Sequence, residues 1–244
     1  GIDSLPVGDF AAYDHVLDTA LMLGVVPARF RADASSLGAA DPAGGAATTP
    51  ETPHRLDLGF AMARGHQGAA AMEMTKWFDT NYHYIVPELE LDTVIRLDAS
   101  RLLDELAEAR AQNAAALRPV VLGPASFLLL AKTRRGVSRA SFVPALLAAY
   151  AELFAELART GVEWVQVDEP TLVLDLDDEA VQLFRSLWQG LNALSERPKL
   201  LVASYFGSIA ERLELALSLG DGLHIDLVRA PEQLDAVLAH DDGK

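Results

Sequence analysis

Between Met72 and Pro87 the chain reads Met-Glu-Met-Thr-Lys-Trp-Phe-Asp-Thr-Asn-Tyr-His-Tyr-Ile-Val-Pro, and its capacity for chemistry is concentrated there. Within the ten residues Thr75 to Tyr84 stand a cation (Lys76), a carboxylate (Asp79), an amide (Asn81), an imidazole (His83), two phenols and an indole. That is far more hydrogen-bonding capacity than a structural turn needs. Asp168-Glu169-Pro170 offers a second polar group, placed after an apolar run as acid/base residues or metal ligands often are. His224 and Asp226, at i and i+2, would share one face of a strand. Asp168, His224, Asp226 and His83 together permit a metal-dependent barrel hydrolase. The plainer reading is that inward polar pairs satisfy each other and that Trp77, Phe78, Tyr82 and Tyr84 mostly pack.

The elements that must position these groups alternate. Leu5 to Gly8 reads as a strand end, with Asp9 as a helix N-cap before helical spacing from Ala11 to Leu23. Residues 32–53, rich in Ala, Gly, Ser, Thr and Pro, read as a disordered insertion. Helical spacing returns at Leu56 to Ala63, and Gly65 and Gly68 break it before a buried strand, Ala69 to Met74. Glu88 to Leu97 alternates like a short outlying strand, and Ser100 caps a helix from Arg101 to Leu117. Strands follow at Arg118–Leu122, Trp164–Val167, Lys199–Ala203 and Leu223–Leu227. The helices between them are a short turn at Phe127–Ala131, then Ser141–Thr160, Glu179–Leu194 and Ile209–Leu219, with a last one from Pro231 to Ala239. Six strands alternating with helices call for a parallel sheet. Such a series closes into a barrel at eight, so the expected fold is α/β, an incomplete (β/α)8 barrel with about six of eight strand-helix units.

Composition narrows the function. Half of the 244 residues are hydrophobic, enough for the core of one domain. The net charge of −15 argues against nucleic acid, whose phosphates need clustered cations. It also makes any polyanionic ligand depend on a few well-placed cations. Lys76 is conspicuous for that reason: it is one of four lysines and the only one before Lys132. There is no cysteine, which excludes disulfides and thiolate metal sites and fits a cytoplasmic protein. No apolar run approaches the roughly 18 residues of a membrane span. Gly1-Ile-Asp-Ser shows neither the basic nor the apolar region of a signal peptide.

The string Met74-Thr-Lys-Trp-Phe-Asp-Thr-Asn-Tyr-His-Tyr84 resembles the signature of the N-terminal barrel of the cobalamin-independent methionine synthases. Other blocks resemble the same domain in the same order: Leu5-Pro-Val-Gly-Asp-Phe10 with Tyr13-Asp-His-Val-Leu-Asp-Thr19, Gly123-Pro-Ala-Ser-Phe-Leu128, Val165-Gln-Val-Asp-Glu-Pro170, Tyr205-Phe-Gly207 and His224-Ile-Asp-Leu227. Together they span nearly the whole chain.

The resemblance implies a partial N-terminal (β/α) barrel over residues 1–244, with one strand before Gly1 and one after Lys244 needed to close it. It implies a methyltransferase that makes methionine from homocysteine and a 5-methyltetrahydrofolate polyglutamate. Catalysis and zinc would belong to a C-terminal barrel absent from this chain, leaving no catalytic residue and no cofactor here. Lys76 would contact the folate's glutamate tail, and Asp168 and Tyr205 are further candidates for substrate contact. The family's other tail contact, an Arg-Glu-Leu-Lys motif, lies upstream of Gly1, so this piece alone would bind folate weakly or not at all and be inactive. Its expected partners are the folate and the C-terminal barrel of the same polypeptide, with no nucleic acid and no membrane. The competing class is a stand-alone, non-catalytic binding module.

Overall fold

Five short segments pair side by side in parallel: β1 (Ser4–Val7), β5 (Ala116–Leu122), β7 (Trp164–Asp168), β8 (Lys199–Ala203) and β9 (Gly222–His224). The structure, a computed structural model, describes residues 3–31, 52–112 and 115–240. The sheet order is β1-β5-β7-β8-β9, so each strand in chain order is added on the same side and the order never reverses. Among the described residues it is α/β with a parallel sheet and eight α-helices.

Alternation decides which face the helices cover. In β5 Leu117, Pro119 and Val121 are buried while Arg118 and Val120 are half-buried; in β7 Val165 and Val167 are fully buried while Gln166 and Asp168 are not. The buried set packs with helices α5 (Val143–Arg159) and α6 (Asp178–Asn192) in one core that includes Tyr150, Phe154, Phe184 and Trp188. The stretch Arg139–Arg159 is long and apolar enough to cross a membrane, but Leu146, Tyr150, Leu153, Phe154 and Leu157 spend its apolar face on this core. The other sheet face carries Arg118, Gln166 and Asp168, which are partly buried, and His224, which is exposed.

The segment expected to be a sixth strand is not in the sheet. Only Met74–Lys76 (β2) is extended, and it pairs antiparallel with His83–Ile85 (β3) as a hairpin, with Met74 opposite Ile85 and Lys76 opposite His83. The apolar residues before it are used elsewhere. Ala69 and Met72 pack with Leu58, Met62, Phe30, Leu17 and Ile85 in a second, smaller core between helix α1 (His15–Met22) and helix α2 (Thr52–Arg64). Gly65 makes the reversal possible: its φ is +71°, and a Cβ there would lie 2.6 Å from the Ala71 amide nitrogen. Met72 N–H then donates to the Met62 carbonyl at 2.9 Å.

Other boundaries shift. Helix α1 starts at His15 with Asp14 as its N-cap, not at Ala11 with Asp9, which stays exposed. Helix α3 (Ser100–Gln112) ends before β5 begins at Ala116. Of Glu88–Leu97 only Glu88–Leu89 (β4) is strand, paired in parallel with Lys132–Thr133 (β6). A short helix α4 (Pro124–Leu130) follows β5, and α7 (Leu213–Leu217) and α8 (Gln233–Ala239) flank β9. The insertion expected at 32–53 lies outside the described residues except for its last two, which begin α2.

Candidate functional site at the strand ends

Parallel pairing brings the carboxyl ends of the strands to one rim. Leu122, Asp168, Ala203 and His224 stand at the same level on β5, β7, β8 and β9. The Asp168 carboxylate accepts from Tyr205 Oη at 3.1 Å and from Gln166 Nε2 at 2.8 Å. Burial pushes the Asp168 carboxyl up, and these two donors pull it back; burial and the neighbouring Asp168 push the Tyr205 phenol well up. Tyr205 therefore stays a neutral donor to Asp168. Both line a cavity of about 230 Å³ with Gly8, Asp9, His15 and Arg101. This is less than the roughly 300 Å³ of a small ligand pocket. Arg101 is already committed to Glu105 at 2.8 Å, Asp18 at 2.8 Å and the Phe10 carbonyl at 3.1 Å.

The next residue, Glu169, does different work. It is fully buried and accepts from the backbone N–H groups of Ser126 (2.7 Å) and Ala125 (3.3 Å) and from Trp188 Nε1 (3.0 Å). It fills the space beside Gly123, where a Cβ would come within 2.2 Å of its Cδ. Gly123-Pro-Ala-Ser and Asp-Glu-Pro are thus two halves of one interlock. Burial raises the Glu169 carboxyl to about 7, against the hydrogen bonds that lower it.

The hairpin β2–β3 lies against the same rim through its tip. Phe78 meets Phe206, the residue after Tyr205, with ring centroids 5.2 Å apart; Trp77 lies 6.4 Å from Phe206. Arg229, beyond β9, pairs with Asp79 and stands over the Phe206 ring at 5.6 Å. Phe78 (φ +52°) and Phe206 (φ +75°) are the two non-glycine residues with left-handed backbone among those described. Such strain costs of order 1–3 kcal/mol per residue and gathers at functional sites. Lys76 ends β2 beside this tip, exposed, with no ion pair or hydrogen bond among the described residues.

Sequence reasoning thus singled out Asp168 and Tyr205, which the structure joins, and Lys76, which it keeps apart on the hairpin but links through Trp77, Phe78 and Phe206. The proposed metal ligands do not come together. Asp168 and His224 are separated by β8, so their backbones stand about 10 Å apart at the usual strand spacing. The Asp226 carboxylate is used by the N–H groups of Phe206, Val228 and Arg229, and His83 Nδ1 faces the Asn81 carbonyl at 3.0 Å. Among the described residues no three His, Cys, Asp or Glu side chains form a metal site. What the sequence did not reveal is the role of Asp14, which fell inside the helix expected from Ala11, and the Asp79–Arg229 pair, whose members are 150 residues apart.

A parallel α/β sheet with Asp168 and His224 at the carboxyl ends of its strands has the arrangement in which α/β folds place their ligand sites. The chain belongs to the family of the cobalamin-independent synthase N-terminal domain, whose family model matches residues 1–244. It is 51% identical over 243 residues to a 5-methyltetrahydropteroyltriglutamate–homocysteine methyltransferase of Xylella fastidiosa and 43% identical over 242 residues to that of Neisseria gonorrhoeae. Each comparison covers 98% of this chain but only 30% and 29% of the relative, so the chain spans under a third of the length of these relatives. A solved B12-independent methionine synthase from Shewanella sp. W3-18-1 aligns with 58% of this chain and 41% of its own, at 18% identity and a TM-score of 0.44.

Proposed function

We propose that this chain is the folate-tail-binding and scaffold domain of a methionine synthase, in which a methyl group passes from 5-methyltetrahydropteroyltriglutamate to homocysteine elsewhere in the polypeptide. The names of its relatives supply the substrates. The observation that carries the tail contact is Lys76: a free ammonium on a braced hairpin, in a chain of net charge −15 that otherwise repels a polyanion. Asp168 with Tyr205 would be the more interior contact, with the phenol fixed as a donor. The one-directional strand order supports a barrel, since doubly wound sheets reverse their order, and further strands of the same polypeptide would close it over the polar face.

The zinc that the family's chemistry implies does not fit this chain. It has no cysteine, and no described cluster of ligands could hold the metal. The methyl transfer therefore belongs to the C-terminal barrel, and this piece alone would be inactive. The cytoplasm is the compartment that suits a cysteine-free chain with this substrate.

The test is Lys76→Ala in the full-length protein. A single exposed cation is worth up to about 1 kcal/mol, or roughly fivefold in affinity. KM for the triglutamate should rise about fivefold relative to KM for the monoglutamate; an equal rise for both would remove Lys76 from the tail site.

A further inference from the structure

We infer that Asp14 is a positioning residue for Lys76, its carboxylate fastening the hairpin to the start of α1; this rests on the tail-contact reading above. Asp14 is completely buried. Its Oδ1 accepts from the N–H groups of Val16 at 2.8 Å and Leu17 at 3.0 Å, which is ordinary N-capping that Ser or Asn would perform as well. Its Oδ2 accepts from the N–H of Ile85 on β3, 71 residues away, at 2.9 Å. Ile85 is two positions along the hairpin from His83, the residue opposite Lys76.

The neighbours of Asp14 reinforce the connection. Tyr82 Oη donates to the Tyr13 carbonyl at 3.4 Å, and the His15 ring meets Trp77 edge-on at 4.4 Å. Three successive residues, Tyr13, Asp14 and His15, therefore each hold a different part of the hairpin. Of these contacts only the Asp14–Ile85 bond is fully buried and holds the backbone of β3 itself. It also explains the residue type. A carboxylate accepts on both oxygens, whereas an amide would turn an N–H toward the Ile85 N–H. The site accepts a desolvated acid beside Asp18 to keep that second acceptor.

Asp14→Asn and Asp14→Ser each keep an acceptor for the helix cap and lose the one for Ile85, so they separate the two duties. In the full-length protein both should lower the triglutamate-over-monoglutamate discrimination in KM at least twofold, toward the Lys76→Ala value. Amide exchange should quicken at least tenfold across residues 74–86 relative to residues 16–22. Discrimination lost in Lys76→Ala but kept in the Asp14 variants, or unchanged exchange in the hairpin, overturns the positioning role alone. Discrimination kept in Lys76→Ala overturns the tail contact and the positioning role with it, so the two failures are told apart. Should Asp14→Asn fail to fold, Asp14→Ser carries the same comparison, since it introduces no opposing N–H.

Discussion

Adjacent acids can be assigned opposite duties, as Asp168 and Glu169 are. Both end the same apolar strand and both looked equally fit for chemistry. Asp168 faces the open side of the sheet and Glu169 is fully buried among backbone donors and the Trp188 indole. Period-two alternation put them on opposite faces, but the sequence alone did not say which face was covered. The consequence is measurable. Glu169 holds its proton to about pH 7 in the native state, against 4.5 as the ordinary value, so its contribution to stability is complete below about pH 4.5 and is lost as pH rises to about 7. At 1.36 kcal/mol per pH unit that is on the order of 3 kcal/mol. Glu169→Gln cannot titrate, so urea denaturation should show a larger penalty for the variant at pH 5 than at pH 8. A penalty independent of pH would mean that the buried acid is ionised throughout. Asp14, raised to about 6, acts in the same direction; His15, which burial lowers to about 4, acts in the opposite one, and both cancel in this comparison.

At the scale of elements, runs read as strands joined the parallel sheet where a helix followed, although the one expected at Leu223–Leu227 is strand only at Gly222–His224, and the run followed by a hairpin did not join it. Ala69 to Met72 is as apolar as β7, but it packs with α1, α2, Phe30 and Ile85 and not in the parallel sheet. Only the tertiary arrangement distinguishes those two ways of burying the same side chains. The polar signature after it stood out because its residue types exceed what a turn needs. Its braces did not, because they come from residues far away in the chain. The exposed brace should matter least: Arg229→Ala should leave the thermal midpoint close to that of the parent protein, because its pair with Asp79 is open to solvent. A large drop in the midpoint would shift the hold on the hairpin from the buried Asp14 bond to its tip.

Across the whole molecule, the fold class was legible because five apolar strands alternate with amphipathic helices, and the two faces of the sheet differ in a way the same pattern contains. Its polar face is written in Arg118, Gln166, Asp168 and His224 at the alternate positions. Among the described residues, strands β1 and β9 are edges of that sheet, each paired on one side. The 244-residue chain on its own should therefore self-associate, with an apparent mass by light scattering that rises with concentration. A constant monomer mass up to high concentration would show that the edges are protected within the piece itself.

Phe78 and Phe206 belong to different loops, hold the same disfavoured backbone shape and lean on each other. Each turn is then the mould for the other. A substitution that removes either ring therefore takes a packing partner from the other turn as well, while the strands beneath keep their own pairing.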